Sequence, residues 1–316
     1  MEIISRTETS DLATVYIARN DSGRMVEFVE SIQPPFNIRE KWVLIVSTLF
    51  GCPVDCSFCD AGGNYKGRLA KEEILFQIEY PVLKRFPDRF IDSEKFKIQF
   101  SRMGEPSFNH AVLDVLEELP DHFKWKTFIP SLSTIAPIGT NRFFDRLGEI
   151  KHRLYPESFQ LQFSLHSTSV KQRDEWLPVK KWSFSQIAEY GKHFYQPEGK
   201  KITLNFAVAE NSIIEAKELR KHFSPDIFLV KLTPVNPTYK ADANKIRSGI
   251  DGDGDRSRDL IRSLSDEGFE VVLSIGEMEE NRIGSNCGQY VQRLLHECDK
   301  LDDAYDYKLL VNPVIS

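Results

Sequence analysis

The chain has 316 residues, of which 41% are hydrophobic, enough to bury a large core. Its formal net charge of −6 argues against a surface devoted to nucleic acid, which usually carries a basic excess. Residues 1–20 lack an apolar signal core and no apolar stretch is long enough for a membrane span, so we expect a cytoplasmic protein. Five cysteines in so long a chain do not form a disulfide framework.

The first predicted element is a β-hairpin. Apolar-rich runs at 13–18 and 25–31 flank the turn sequence Asn20-Asp21-Ser22-Gly23. Beyond it, strand-like runs alternate with helix-like stretches. The predicted strands are 42–47, 96–101, 127–133, 159–165, 202–208, 228–233 and 269–275, and the predicted helices are 71–86, 111–119, 142–154, 184–194, 213–222, 256–267 and 289–297. This order is typical of a parallel sheet whose right-handed crossovers form a full or partial barrel.

Three cysteines follow the first predicted barrel strand: Cys52, Cys56 and Cys59, with the spacing Cys-x3-Cys-x2-Cys. Thiolates suit iron–sulfur clusters, and a cubane usually takes four of them, so three crowded cysteines leave one iron open. A structural zinc site is the alternative, but the CxxC pairs of zinc ribbons are missing. Because barrel active sites are built from the loops after the strands, this loop is expected at the C-terminal mouth.

With Phe58 before its last cysteine, the motif resembles the signature of the radical S-adenosylmethionine (SAM) superfamily. The resemblance implies a 4Fe–4S cluster on Cys52, Cys56 and Cys59, whose open iron binds S-adenosyl-L-methionine. One electron, from a donor such as flavodoxin or ferredoxin, then cleaves SAM to methionine and a 5′-deoxyadenosyl radical. The implied fold class is α/β: a partial (β/α)6-type radical SAM barrel at 41–300, with an N-terminal β-hairpin extension at 1–40 and a C-terminal tail at 301–316.

Further segments resemble one family within this superfamily, the RlmN/Cfr-type adenine methyltransferases of ribosomal and transfer RNA. They are Met103-Gly-Glu-Pro-Ser-Phe-Asn109, Leu132-Ser-Thr134, Ser164-Leu-His166 with Arg173-Asp-Glu175 and Pro178, and Pro234-Val-Asn-Pro237. The resemblance implies that SAM is bound by Gly104, Glu105, Ser133, Ser164, His166 and Asn236. Independently of the family, a glycine permits close backbone approach, and short polar side chains suit a zwitterionic ligand. Taken singly, His166 can also be read as a satisfied core histidine and Asn236 as a turn residue.

Two residues are catalytic candidates. Asn286-Cys287-Gly288-Gln289 resembles the family's ACGQL segment, whose cysteine is methylated by one SAM and then activated by the radical from a second. Inert packing is the alternative for Cys287, although the N-terminus of a following helix lowers a thiol's pKa. Val29-Glu30-Ser-Ile-Gln-Pro-Pro35 resembles the family's VExxxxP element, which holds a carboxylate near the substrate base. Glu30 is therefore the second candidate, and Glu27, also preceded by valine, is its alternative.

The chain departs from the family in two respects. The family has a resolving cysteine seven positions before the first cluster cysteine, where this chain has Ile45. Cys298 lies 11 residues beyond Cys287, about three turns away if the segment is helical, and can substitute only if the chain folds back. The family also has an N-terminal RNA-binding domain, whereas 51 residues precede Cys52 here.

These departures lead us to expect a radical SAM enzyme that uses Cys287 on a small-molecule or peptide substrate. Either methyl-Cys287 delivers a methylene radical, or the free thiol donates a hydrogen atom to a substrate radical, which needs no resolving cysteine. One alternative is an RNA adenine C-methyltransferase of the RlmN/Cfr type. A second, from another class, is a non-catalytic iron–sulfur sensor, but the SAM-contacting segments speak against it.

Overall fold

The computed structural model describes residues 1–9, 12–32, 35–276, 278–285, 289–295, 301 and 304–311. Its strands are β1 (Glu2–Thr9), β2 (Ala13–Arg19), β3 (Met25–Ser31), β4 (Trp42–Val46), β5 (Leu49–Cys52), β6 (Gly63–Arg68), β7 (Phe90–Ile91), β8 (Phe96–Phe100), β9 (Lys124–Trp125), β10 (Phe128–Thr134), β11 (Gln160–Ser164), β12 (Ile202–Val208), β13 (Phe228–Pro234), β14 (Val271–Leu273) and β15 (Leu310–Val311).

The helices are α1 (Lys71–Arg85), α2 (Ala111–His122), α3 (Asn141–Leu154), α4 (Val170–Trp176), α5 (Phe184–Phe194), α6 (Ala216–His222), α7 (Tyr239–Ala243), α8 (Asp255–Asp266), α9 (Met278–Arg282) and α10 (Tyr290–Leu295). Side-chain caps fix several of their starts. Ser183 accepts from the backbone N–H of Gln186 at the start of α5, and the Gln186 side chain accepts from the Ser183 N–H, which completes a capping box. The first residues of the predicted helix 213–222 remain outside α6, which begins only at Ala216.

One sheet holds eleven of the described strands in the order β14-β13-β12-β11-β10-β8-β4-β3-β2-β1-β15. The seven strands from β14 to β4 pair in parallel, whereas β4 to β15 pair antiparallel. The parallel part is the predicted partial barrel, and the predicted hairpin of β2 and β3 joins its edge at β4. The sequence did not predict β1, which extends the sheet beyond the hairpin and pairs with β15.

The two faces of the parallel strands differ in character. Phe163 on β11 packs against Phe144 of α3, and Phe228 on β13 packs against Phe223 just after α6, so these residues face the helices. Because side chains alternate along a strand, their neighbours face the barrel interior. That interior set is mostly polar and much of it is partly exposed: Lys97, Gln99, Ser101, Ser131, Ser133, Gln160, Gln162, Ser164, Thr203, Asn205, Lys231 and Thr233.

A packed barrel interior is filled by layers of Val, Ile and Leu. The polar, partly exposed interior of this barrel is instead suited to hold a ligand. None of the helices in the described part of the chain is long and apolar enough to cross a membrane. The domain limits near residues 40 and 300 stay a prediction.

Candidate active site

The three-cysteine motif lies in a hairpin above the C-terminal end of β4. Strands β5 and β6 pair antiparallel and enclose the motif, with Cys52 opposite Gly63. Asp55, within the loop, adopts a left-handed backbone with φ of 59°, which helps the short chain between the cysteines to turn. The Nζ of Lys240, from α7, forms an ion pair with Asp55 from above the loop.

The three thiols share one electrostatic environment. Burial raises the pKa of Cys52 to about 11, with a smaller contribution from Glu105. Burial also raises the pKa of Cys56, as do the neighbouring thiols Cys59 and Cys52, while Lys240 acts in the opposite direction. The thiols are therefore close enough for each to disfavour ionisation of the next. A positively charged iron centre would remove that penalty, because thiolates bind metal in their ionised form.

Aromatic and backbone contacts hold the cluster loop on the barrel. The Phe58 ring makes edge contacts with His166, at 4.9 Å between centroids, and with Trp176, at 5.9 Å. Ser57 donates its backbone N–H to the Trp176 carbonyl at 3.0 Å. The Thr238 hydroxyl donates to the Phe58 carbonyl at 3.0 Å. Phe58 thus orients the loop that carries Cys59 against residues that follow β11 and β13.

Asp60, next to the last cluster cysteine, connects the loop to the C-terminal segment. Its carboxylate accepts from the backbone N–H groups of Tyr239 at 3.1 Å and Lys240 at 2.9 Å. It also accepts from the Tyr305 hydroxyl at 3.1 Å, and that hydroxyl accepts from the Gln289 backbone N–H at 2.9 Å. Gln289 belongs to the ACGQL-like segment, so a hydrogen-bonded path of two steps joins this segment to the cluster motif.

The MGEP-like segment supports the hairpin from below. The Met103 carbonyl accepts from the backbone N–H groups of Thr48 at 2.8 Å and Leu49 at 3.2 Å. Gly104 has φ of +95°, and a Cβ built on it would lie 2.4 Å from the Leu49 Cβ. Glycine is therefore needed here for space as well as for backbone conformation.

The Gly104→Ala substitution should destabilise the protein and lower its iron content. Gly139, with φ of +91° and no heavy atom within 4 Å of a built Cβ, is the matched control. Gly139→Ala should cost about 1–2 kcal/mol, the strain of a left-handed alanine. In Gly104→Ala the new Cβ also overlaps Leu49, so we expect its free energy of unfolding, measured in urea, to fall by about 2–5 kcal/mol. Equal losses in the two variants would show that the close contact with the hairpin is unimportant.

Glu105 accepts four hydrogen bonds from protein donors in this structure. Its carboxylate accepts from the Thr134 hydroxyl at 2.5 Å, the Ile135 backbone N–H at 2.9 Å, and the Ser107 backbone N–H and hydroxyl at 3.1 and 2.7 Å. Burial raises the pKa of Glu105, and these hydrogen bonds oppose that shift. The carboxylate thus fixes the end of β10 against the segment after β8, beside the cluster thiols.

A buried ion pair lies directly before the MGEP-like segment. Nη2 of Arg102 is 2.6 Å from Oε1 of Glu27, and both side chains are at most 1% exposed. Arg102 also donates to the carbonyls of Gly284 at 2.6 Å and Ser285 at 3.1 Å. Glu27 accepts from the Val291 backbone N–H at 3.0 Å. The pair therefore holds both sides of residues 286–288 against the ends of β3 and β8.

Glu30 lies on the other face of β3. Its carboxylate accepts from the Tyr16 hydroxyl at 3.0 Å, Trp42 Nε1 at 3.2 Å and Arg85 Nε at 2.7 Å. Arg85 belongs to α1, so this network is on the helix side of the sheet. The structure does not bring Glu30 to the cluster loop, whereas it does bring Glu27 to the segment around Cys287.

The remaining predicted residues fall into three groups. Ser133 and Ser164 lie on the interior face of β10 and β11, and Ser133 accepts from Gln162 Nε2 at 3.1 Å. Asn236 lies between β13 and α7 and is partly exposed. Cys287 and Cys298 lie outside the described residues, so their predicted roles rest on the sequence.

His166 is better described as a structural residue of this site. Its Nδ1 accepts from the Ala207 backbone N–H at 3.0 Å, which requires an unprotonated Nδ1. Burial, with a smaller effect of Arg173, lowers the pKa of His166 to about 3. A neutral imidazole in this position contacts the Phe58 ring, and the predicted contact of His166 with SAM stays a prediction.

The chain was compared with known proteins. No protein-family model matches it. A probable dual-specificity RNA methyltransferase RlmN from Petrotoga mobilis is 25% identical over 297 residues, covering 92% of this chain and 78% of that protein. The enzyme of the same name from Heliobacterium modesticaldum is 26% identical over 226 residues, covering 66% of this chain and 55% of that protein. The chain thus spans between about half and four fifths of the length of these relatives.

The fold has a counterpart among solved structures. A radical SAM methyltransferase from Sphaerobacter thermophilus superimposes with a TM-score of 0.66 over 87% of this chain and 76% of that chain, at 19% sequence identity. The chain resembles the RlmN/Cfr-type radical SAM methyltransferases. The α/β fold with its mostly parallel sheet, predicted from the sequence, is confirmed.

The residues of the three-cysteine hairpin fit the cofactors that the resemblance implies. Three soft thiol donors in mutual electrostatic contact suit an iron–sulfur cluster. Within the described part of the chain, no three His, Cys, Asp or Glu side chains converge on a single-ion site.

Several residues that contact the candidate site or line the barrel interior escaped the sequence analysis. Asp60 and Arg102 each adjoin a recognised motif, and this proximity is the feature of the sequence that could have identified them. Tyr305 carries no such signal, because it reaches Asp60 only through the folded chain. Asn205 and Lys97 were hidden within strands and emerge as interior residues only once the pairing of the strands is known.

Proposed function

We propose that the chain binds a 4Fe–4S cluster through Cys52, Cys56 and Cys59 and uses it with SAM. When bound, the cluster and SAM supply a 5′-deoxyadenosyl radical. The proposal is supported by the crowding of the three thiols in one hairpin and by the contacts of Phe58 and Asp60 that fix this hairpin on the barrel mouth. Lys240, beside the loop, offsets negative charge that thiolates bring to the site.

The same proposal assigns SAM to the barrel mouth. The residues proposed to bind SAM lie at or just after the ends of barrel strands: Gly104, Ser133, Ser164 and Asn236. His166 contacts Phe58 of the cluster loop. Glu105 has four protein donors, so we propose that its carboxylate shapes the backbone around SAM and that polar backbone groups nearby meet the SAM amino group.

Cys287 is proposed as the catalytic thiol. The single observation that carries this role is that the described residues on both sides of it are tied to the active site. Gly284 and Ser285 accept from Arg102, and Gln289 is linked through Tyr305 to Asp60. Because these flanking residues are held at the site, we propose that the Cys287 thiol acts on a substrate at the barrel mouth. We propose Glu27, in place of Glu30, as the carboxylate that positions this segment.

We propose a small-molecule or peptide substrate bound in the polar barrel interior. The net charge of −6 and Ile45 in place of the resolving cysteine favour this proposal. RNA adenine methylation is the second candidate, favoured by the names of the relatives, which are RNA methyltransferases. One measurement distinguishes the two candidate functions. Only RNA adenine methylation predicts a methylated adenine after incubation with RNA.

The central test compares the wild type with the Cys52→Ala/Cys56→Ala/Cys59→Ala variant after anaerobic purification. The wild type should contain about four irons per chain and show a cluster spectrum that changes when SAM is added. With a reductant it should release 5′-deoxyadenosine and methionine, measured by mass spectrometry. The variant should have neither iron nor SAM cleavage, because no other thiols occur in the hairpin.

The Cys298→Ala variant serves as the cysteine control and should keep the full iron content. Wild-type-like iron in the triple variant, or zinc as the sole metal of the wild type, would disprove the proposed cluster site. Incubation with total RNA and with fractions of small metabolites, each followed by mass spectrometry, then separates the two substrate classes.

A further inference from the structure

One lysine of the barrel interior has an unusual environment. Lys97 is the second residue of β8, between the buried Phe96 and Ile98, and its side chain is partly exposed on the interior face. Within the described residues, no carboxylate lies within ion-pair distance of its ammonium group. The charged groups that act on it most strongly are all lysines, namely Lys231, Lys95, Lys41 and Lys200.

The positive charge of Lys231 repels that of Lys97 across the barrel interior. Lys231 lies on β13, and the sheet order separates β13 from β8 by the three strands β12, β11 and β10. Both lysines occupy the partly exposed, interior positions of their strands. Lys97 therefore projects into the interior space that these strands surround. Burial, reinforced by the other lysines, lowers the pKa of Lys97 to about 7.

Two polar side chains on β12 face the same interior, and each has an oxygen atom without a hydrogen-bond partner among the described residues. Oδ1 of Asn205 and Oγ1 of Thr203 are both buried and unpaired, although Asn205 is only 8% exposed and Thr203 only 1%. Asn205 lies in register with Lys231 on β13 and with Ser164 on β11. Buried polar atoms are nearly always hydrogen-bonded, so two unpaired atoms on the interior face of the barrel point to a ligand in this space.

We infer that Lys97, Thr203 and Asn205 form a subsite that binds the anionic group, a carboxylate or a phosphate, of a small-molecule substrate. The inference rests on the proposed function, because it takes the barrel interior as the substrate site. An anion supplies the negative charge that Lys97 lacks, and the Thr203 hydroxyl can donate to its oxygens, while Oδ1 of Asn205 can accept from a hydroxyl or amino group carried by the same substrate.

The subsite also constrains the length of the substrate. Lys97 lies three residues before the end of β8 at Phe100, a distance of about 10 Å along the strand. The cluster loop lies beyond that end. The substrate therefore carries its anionic group toward the base of the barrel and its reacting carbon at the mouth, on the order of 10 Å away.

Binding of sulfate and of succinate to the anaerobically purified, cluster-containing protein tests the inference. Both probes are dianions at pH 7, and isothermal titration calorimetry measures their affinity. Lys97→Met should weaken binding at least tenfold, whereas Lys95→Met, at the exposed strand entrance, should change it less than twofold. Thr203→Val should weaken it about fivefold through loss of one hydrogen bond. Tighter sulfate binding indicates a phosphate-bearing substrate, and tighter succinate binding a carboxylate.

Proton uptake provides a second measurement. A lysine with a pKa of about 7 is half protonated at pH 7, so anion binding should draw up to about half a proton from the buffer. Titrations in buffers of different ionisation enthalpy should show this uptake in the wild type and none in Lys97→Met. Undiminished binding by Lys97→Met, or no binding by the wild type, overturns the inference. Intact iron content and SAM binding in the same samples would show that the proposed function itself survives.

Discussion

Replacement of Cys287 by alanine should abolish product formation while leaving the cluster and SAM binding intact. The reason is that Cys287 is proposed to act on the substrate, whereas the cluster and SAM are held by other residues. We expect iron content and the SAM-induced spectral change to equal those of the wild type, with product below the detection limit of mass spectrometry. Cys298→Ala, the other late cysteine, is the control and should remain active.

The same experiment separates the two chemical routes. If Cys287 carries a methyl group, its peptide from protein made with SAM should be heavier by one methyl, and unmodified protein should release S-adenosylhomocysteine. If the thiol donates a hydrogen atom, the peptide stays unmethylated, and product made in D2O gains deuterium because the thiol proton exchanges with solvent. Undiminished product from the Cys287→Ala variant would contradict both routes.

The alternation of strands and helices was predictable from the sequence because most of these strands lie in a buried parallel sheet. Such strands have short, continuous apolar sequences. The predicted limits of β12 and α5 agree with the structure. β1 was missed because its sequence, Glu2–Thr9, mixes charged and apolar residues. It is stabilised by its pairing with β2, which local sequence patterns do not reveal.

The site was predictable where the chemistry is concentrated in a short motif and unpredictable where it depends on long-range contacts. Glu27 and Glu30 illustrate the limit. Residues three apart on a strand face opposite sides, so at most one of them can face the segment around Cys287. The sequence does not show which of the two glutamates faces this segment, because both follow a valine as the VExxxxP element requires. Contacts with Arg102 and Arg85, at 2.6 Å and 2.7 Å, distinguish them in the folded chain.

Arg102→Met should strongly destabilise the protein. It leaves the Glu27 carboxylate, which is 0% exposed, without its cation, and breaking a buried pair in this way typically costs about 3–5 kcal/mol. It also removes the donors to Gly284 and Ser285. We therefore expect a large drop in urea-unfolding stability and, at temperatures where the variant is folded, slower reaction at Cys287 with unchanged cluster content.

The pH dependence identifies the buried carboxylate as the cause. Burial raises the pKa of Glu27 and Arg102 opposes that rise, so removal of Arg102 raises it further. An acid with a raised pKa in the folded state contributes stability at low pH that is lost as the pH rises above its unfolded value of about 4.3. The deficit of Arg102→Met relative to the wild type should therefore be smaller at pH 5 than at pH 8.

A double-mutant cycle completes the test of this pair. Glu27→Gln removes the buried charge, so the double variant with Arg102→Met should be less destabilised than the sum of the two single variants. Lys71→Met, which breaks a 2.8 Å ion pair with Glu118 on partly exposed side chains, is the control and should change the free energy of unfolding little. Additive losses with no pH dependence would mean that Arg102 acts through its carbonyl contacts alone. In that case Glu27 would have no part in holding the segment around Cys287.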